Sequence, residues 1–322
     1  MICRVPGLKG SEKIELEKKF DKEEDFSLLS KEEIERLLGR VLKGRSWKIG
    51  ELRSMAEKDA ALCEKLGIRV VSWREKAYPP LLREIFDPPA LLFYRGFLPD
   101  PEKPLVAVVG TRKPSAEGGV RAFTLGRELG EAGIPVVSGL ALGIDAMAHR
   151  GNIEGRARTI AVLGSGPDMV YPSSNRDLAR RILETGGLIV SEYPPGTAPL
   201  KWNFPERNRI ISAFARGTVI VEAPEKSGAL ITAQFALDQD RDLWVDRASL
   251  GSKYSGGTVR LAGEGAGVIS SAREILSEWN MAGTVNDLSP AGSEKGKEAE
   301  AAASGDGALL ASSLAKDLDI TC

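Results

Sequence analysis

Residues 105–115 read LVAVVGTRKPS: an apolar, mostly β-branched run that ends on Gly110 and gives way to Thr111, Arg112, Lys113 and Ser115. A strand covered on both faces has this unbroken apolar character, because neither side presents a polar group to water. A helix is expected from about Gly118. Strand, glycine-bearing loop and helix in that order open a doubly wound sheet, whose ligands bind beyond the carboxyl ends of the strands. The same kind of run recurs as IPVVSG, TIAVLG, GLIVSE, GTVIVE and DLWV, with stretches between them long enough for crossover helices. The expected fold is α/β: an extended Rossmann-like domain with a mostly parallel sheet over 104–281, preceded by a small helical N-terminal domain.

That helical module is expected over 1–75, where Lys31 to Leu42 and Ile49 to Leu66 carry apolar residues at three- and four-residue intervals. From 76 to 103, Tyr78, Pro79, Pro80, Asp87, Pro88 and Pro89 interrupt short apolar runs, so this stretch reads as a connecting segment. After 281 the composition turns to Ala, Gly, Ser, Glu and Lys (PAGSEKGKEAEAAASGDG), too polar to offset the entropy of ordering. A flexible tail is expected over 282–322.

A net charge of −1 over 322 residues excludes a uniformly basic coat for nucleic acid, so any such site must be local. Positive charge is shifted to the middle: 104–230 holds fifteen Lys and Arg against twelve Asp and Glu, whereas 11–36 holds ten acids against six bases. No apolar run approaches the ~20 residues that span a bilayer, and a cytoplasmic protein is expected. Cys3, Cys63 and Cys322 are far apart and form no CxxC, which suggests neither a disulfide framework nor a metal site. GTRKPS matches neither GxGxxG nor GxxxxGK[ST], so no nucleotide cofactor is expected.

Five loops carry the residues suited to binding. The first joins Arg112 and Lys113 to a helix amino terminus, an arrangement that attracts phosphate. The second, Ser138 to Asp145, offers a hydroxyl and glycines that let a ligand approach the backbone, with Asp145 able to cap the next helix. His149, the one histidine of the chain, is suited to packing or DNA contact rather than to base catalysis, since no nucleophile accompanies it. The third loop presents Tyr171, which either stacks a base or closes a turn. The fourth brings Lys201, Trp202, Phe204, Arg207 and Arg209 together, the mixture of rings and cations that a single strand uses. The fifth carries Lys226, Ser227 and Gly228 before a helix.

The motifs GTRKPS, VVSGLALGIDAMAH, TIAVLGSGPDMVYPSSN, SEYPPGTAP, FPERNRIIS and VEAPEKSGALITAQFAL, in this order, resemble the DNA-processing protein A (DprA/Smf) family from Tyr78 to Leu276. The resemblance implies a non-catalytic homodimer that binds single-stranded DNA in a basic pocket, protects incoming DNA and loads the recombinase RecA during natural transformation or related recombination. It implies DNA contacts at Arg112, Ser138, Gly139, Asn175, Phe204, Arg207, Asn208, Arg209, Lys226, Ser227 and Gly228. It fits an amino-terminal module of SAM-like or helix-hairpin-helix-like type. The dimer surface has one candidate in the apolar segment Ala272 to Trp279.

This chain departs from the family's pattern at three places. Ser173 and Ser174 follow the Tyr-Pro pair where many relatives have lysine. Segment 240–261 lacks the usual Pro-Gly turn and asparagine. The tail is too short and polar for the winged-helix domain that ends many members, which is expected to be absent or vestigial. The alternative reading is a nucleotide-binding phosphoribohydrolase-like enzyme of the lysine-decarboxylase-like superfamily, although its PGGxGTxxE signature is missing.

Overall fold

The computed structural model describes residues 1–20, 29–42 and 47–281. The tail over 282–322, with the expectations of flexibility and of a missing winged helix, lies outside the described residues. None of the described helices is long and apolar enough to cross a membrane.

Nine strands form one sheet in the order β1-β2-β6-β5-β4-β3-β7-β8-β9. Its parallel part is β3 (Val106–Val109), β4 (Val136–Ser138), β5 (Ile160–Val162), β6 (Leu188–Ser191), β7 (Gly217–Ile220), β8 (Asp242–Asp246) and β9 (Gly267–Ile269). The crossovers are α5 (Ala116–Glu131), α6 (Ile144–Glu154), α7 (Arg176–Glu184), α8 (Asn203–Phe214), α9 (Ala229–Asp238) and α10 (Gly256–Gly263), and α11 (Ala272–Glu278) follows β9. Every residue of β3, β4, β5, β6 and β7 is buried, as two-sided coverage requires. The α/β, mostly parallel Rossmann-like reading is correct.

The sheet also takes in residues that the sequence reading set apart. β1 (Arg69–Ser72) pairs antiparallel with β2 (Leu91–Gly96), which pairs antiparallel with β6. The span 1–75, expected to be helical, therefore ends in the edge strand β1, and the segment 76–103 is corrected from a connection to one that carries β2. Its prolines sit in turns and in the short helix α4 (Pro80–Arg83), outside the paired residues, so they cost the ladder no donor. The Tyr78 hydroxyl donates to the Pro89 carbonyl (2.8 Å) and closes this excursion.

Ahead of the sheet lie α1 (Gly10–Lys19), α2 (Lys31–Leu38) and α3 (Ile49–Leu66). Ser30 and Glu33 form a capping box on α2. That helix stops at Leu38 rather than the expected Leu42, because Gly39 takes a left-handed φ of 67° and its amide bonds back into the last turn. Leu16, Ile34, Leu42 and Leu52 make a small core of their own with Val5 and Leu8.

Helices α5 and α6 approach unusually closely. Cβ atoms added at Gly126 and Gly151 would run into the carbonyl oxygens of Ala148 and Phe123, and one at Gly130 would lie 2.7 Å from that of Asn152. Asn152 cements the contact, donating to the Gly126 (3.1 Å) and Ile134 (3.0 Å) carbonyls and accepting from the Val136 amide (3.0 Å). The pair fixes where the loops after β3 and β4 emerge. Segment Ala272–Trp279, one candidate for the dimer surface, instead buries Ala272, Ile275, Leu276 and Trp279 in the chain's own core beside Trp244. Its apolar stripe answers the sheet edge formed by β8 and β9.

Gly151→Ala is expected to lower stability by about 1–3 kcal/mol through overpacking. Gly119→Ala on α5, where an added Cβ meets nothing within 4 Å, is expected to raise it by roughly 0.5–1 kcal/mol. Urea denaturation of both variants checks the pair.

Candidate functional site

The strand order reverses at β3: the chain proceeds through β4, β5 and β6 on one side, then crosses to β7, β8 and β9 on the other. Loops on either side of such a switch diverge and leave a crevice beyond the carboxyl ends. Here that crevice is an open cleft of about 700 Å³. All five loops singled out in the sequence contribute to it, through Arg112, Ala141, Tyr171, Lys201 and Lys226 among others.

The position where such folds ordinarily hold a ligand phosphate, the amino terminus of α5, is filled by the protein itself. Glu222, fully buried at the end of β7, accepts from the Ser115 amide (2.8 Å) and from the hydroxyls of Ser115 and Ser252. A Cβ at Gly118 would strike this carboxylate, so glycine there makes room for it. Ser115 also caps α5 by accepting from the Gly118 amide (3.0 Å). The first loop is thus held from below by an internal anion, and a ligand phosphate has no place at this helix end. Sequence reading missed Glu222 because its partner Ser115 is 107 residues away. The one available signal was an acid closing an otherwise apolar strand next to the switch point.

The floor of the cleft is a buried polar cluster. Arg207, 3 % exposed, reaches from α8 to the carbonyls of Gly139 (2.9 Å) and Val162, which lie at adjacent strand ends. A Cβ at Gly139 would come within 2.6 Å of the guanidinium, so that position must be glycine for the arginine to fit. Asp145 accepts from the Gly139 (3.1 Å) and Ala141 (3.4 Å) amides. It organises its own loop rather than capping α6, whose N-cap is Gly143 with φ 75°. Burial pulls the Arg207 pKa down to about 10, with Asp145 opposing the fall and Arg112 adding to it. Burial likewise raises the Asp145 pKa, against the pull of Arg207 and of the two amides.

Three of the residues expected to contact DNA spend their hydrogen bonds on the protein itself. Ser138 is fully buried and donates to the Val108 carbonyl (2.7 Å), so its hydroxyl does not face the cleft. Asn175 donates to the carbonyls of Leu140 (2.9 Å) and Ala141 (3.2 Å), pinning the second loop from the third. Arg209 points away from the cleft: it grips Glu192 through two bonds of 2.7 Å and donates to the Asp87 carbonyl (3.1 Å). Burial opposes its charge, but Glu192 and Asp87 more than compensate and hold it firmly protonated. Successive residues of a helix point about a quarter-turn or more apart, so of Arg207, Asn208 and Arg209 only the first two can serve the cleft side.

The rim is cationic and aromatic. The exposed Arg112 lies over the Phe204 ring at 5.6 Å, and Tyr171 packs on the same ring at 5.6 Å with the planes inclined by 44°. Lys201 and Lys226 are exposed on the opposite walls. Asn208 accepts from Arg207 Nε (3.2 Å) and donates to the Gly228 carbonyl (3.3 Å), joining the buried floor to the loop of Lys226. Ser227 and Gly228 line the cleft at the start of α9, where Ser227 Oγ accepts from the Ala229 amide (3.3 Å). Ser173 and Ser174, which follow the Tyr-Pro pair, are exposed. In segment 240–261, Asp246 is fully buried, paired with Arg121 at 2.7 Å, and caps the following turn through the Ala248 amide.

His149 is buried. Thr159 Oγ1 donates to the Val136 carbonyl (2.9 Å), which leaves it to accept from Nδ1–H of the imidazole at 2.7 Å. Burial and the nearby Arg207 lower its pKa to about 3, so it packs as a neutral ring and is no base for cleft chemistry.

Two outcomes are expected. Arg209→Gln strands Glu192 and lowers stability by about 3–5 kcal/mol, read by thermal or urea unfolding. His149 binds a proton in the unfolded chain below about pH 6.5 but not in the fold until about pH 3. Its contribution is therefore fully present above pH 6.5 and is lost as pH falls through that window. Between pH 6 and 4, stability of His149→Gln should fall less steeply than wild type, by up to about 1.4 kcal/mol per pH unit.

Comparison with known proteins agrees with this geometry. The family model of DNA recombination-mediator protein A matches residues 69–280, a span that begins at β1 and ends just after α11. DNA processing protein DprA of Bacillus subtilis is 42 % identical over 213 residues, 66 % of this chain and 71 % of that one. The crystal structure of DprA from Streptococcus pneumoniae superposes with a TM-score of 0.72 at 35 % identity, covering 86 % of this chain and 95 % of that one. A Helicobacter pylori DprA structure, described for its single-stranded DNA binding mode, gives a TM-score of 0.57 at 29 % identity over 66 % of this chain and 95 % of its own. With most of the chain matched by the family model and the same fold in its relatives, this protein belongs to the DNA recombination-mediator protein A family.

Proposed function

We propose that the cleft holds single-stranded DNA and that the protein is a non-catalytic cytoplasmic mediator that protects the strand and passes it to the recombinase RecA. The observation that carries this is the rim: Arg112, Lys201 and Lys226 are exposed cations around the Tyr171–Phe204 ring pair, with Trp202 64 % exposed beside Lys201. Cations follow phosphates and rings stack bases, which together suit a strand whose bases are unpaired. The Helicobacter pylori relative described as binding single-stranded DNA supports the same reading.

In this assignment Arg112, Phe204, Lys226, Ser227 and Gly228 meet the strand, joined by Lys201 and Tyr171. Gly139, Arg207 and Asn208 form the floor, whereas Ser138, Asn175 and Arg209 hold the loops. A homodimer would set two clefts along one strand and raise apparent affinity through effective concentration. The helical segment before the sheet would act as a separate module. The phosphoribohydrolase alternative is disfavoured by Glu222, which sits where a nucleotide phosphate would otherwise meet α5.

Titration of labelled oligothymidine and of matching duplex into wild type and Arg112→Ala/Lys226→Ala, at two salt concentrations, checks the reading. Wild type is expected to prefer the single strand and to weaken as salt rises, with a slope of about 0.7 per phosphate contact. The double variant should bind more than about tenfold more weakly while unfolding at the wild-type temperature. Equal binding by both proteins would sink the assignment.

A further inference from the structure

Outside the cleft, Arg150 stands where packing by itself disfavours charge, with the exposed Arg181 beside it. Between α6 and α7 the seam is apolar: Ala146 and Ile153 pack with Leu178, Ala179 and Ile182. Arg150 lies four residues after Ala146 and three before Ile153, on the same stripe of α6. A half-buried guanidinium therefore interrupts a row of methyl groups. Burial lowers its pKa, and the neighbouring Arg181 of α7 lowers it further.

A cation so placed ordinarily attracts a carboxylate, because a buried unpaired charge is costly. Both acids of α7 are engaged elsewhere: Arg180 binds Glu184 at 2.8 Å and Asp177 at 3.5 Å. Glu154, one turn beyond Arg150, is exposed. Among the described residues, neither the Arg150 nor the Arg181 side chain has an ion-pair or hydrogen-bond partner.

The seam lies below two loops that line the cleft and its side pocket. Both helices run away from the carboxyl edge of the sheet, with Arg150 the seventh residue of α6 and Arg181 the sixth of α7. At 1.5 Å per residue they stand at nearly the same depth, about 7–9 Å below the helix starts. In the loops that lead into the two helices, Leu142 and Tyr171 are exposed and line a side pocket shared with Arg112, Phe204 and Arg207.

We propose that the α6–α7 seam is a second phosphate subsite, in which Arg150 and Arg181 grip the backbone of the single strand as it leaves the cleft past Tyr171 and Leu142. Arginine forks suit this task, since a phosphate accepts two parallel N–H bonds from each. The subsite rests on the single-strand reading of the cleft and adds a direction to it: the strand exits over the face that carries α6 and α7.

Oligothymidines from about 4 to about 16 nucleotides, titrated by fluorescence anisotropy into wild type and Arg150→Gln/Arg181→Gln, test it. The shortest strand bound by wild type should bind both proteins alike. The longest should bind the variant about tenfold more weakly, with the salt slope reduced by roughly 1.4 for two lost contacts. Arg181→Gln alone, at an exposed position, should give part of the loss at the wild-type unfolding temperature, so misfolding of the double variant would not hide the effect. Equal affinity at every length, or an equal loss at every length, would overturn the subsite while leaving the cleft standing. Failure of wild type to bind any length would overturn both.

Discussion

The carboxylate of Glu222 sits at the one place in this architecture where a helix dipole, a tight loop and the reversal of strand order coincide. It satisfies the Ser115 amide and ties β7 to the loop after β3 and, through Ser252, to the loop before α10. Because this anion belongs to the chain, the first loop needs no ligand to hold its shape. Its cations are left to face outward. A Rossmann-like crevice that usually meets phosphate through backbone amides here presents side-chain cations on its rim instead.

The same division runs through the cleft. Its floor is rigid: Arg207, Asp145, Asn175 and Ser138 spend their hydrogen bonds on backbone groups of the loops around them. Each of these groups is buried, and a buried polar group is stable only when partnered. The rim groups, Arg112, Lys201 and Lys226, are exposed and lack carboxylate partners among the described residues. Fixed loops carrying unpaired cations make a site that is organised before its ligand arrives, which reduces the ordering entropy of binding.

Arg209 performs a different service on the far side of α8. By gripping Glu192 and the backbone of Asp87 it ties the loop after β6 to the segment between β1 and β2. Asp87 in turn accepts from the Ser11 amide of α1 (2.9 Å). A chain of hydrogen bonds thus runs from the helices before the sheet to the helix that floors the cleft.

The parallel sheet was legible in the sequence because LVAVVG, TIAVLG and GTVIVE are apolar along their whole length, the pattern of short strands covered on both faces. The five loops that line the cleft were legible for the same reason, since they follow those strands and carry glycine, hydroxyl and cation together. The antiparallel strands β1 and β2 were not, because strands this short have no distinctive period. Nor could the sequence separate Arg207 from Arg209: both sit in one motif, and the helix turn between them sends one beneath the cleft and the other to Glu192. Glu222 filling the helix end, Ser138 turned onto Val108, and Arg150 beside Arg181 are likewise facts of tertiary structure. Local pattern fixes which face of an element is apolar, whereas the partner of a polar group is set by residues that meet only after the sheet has formed.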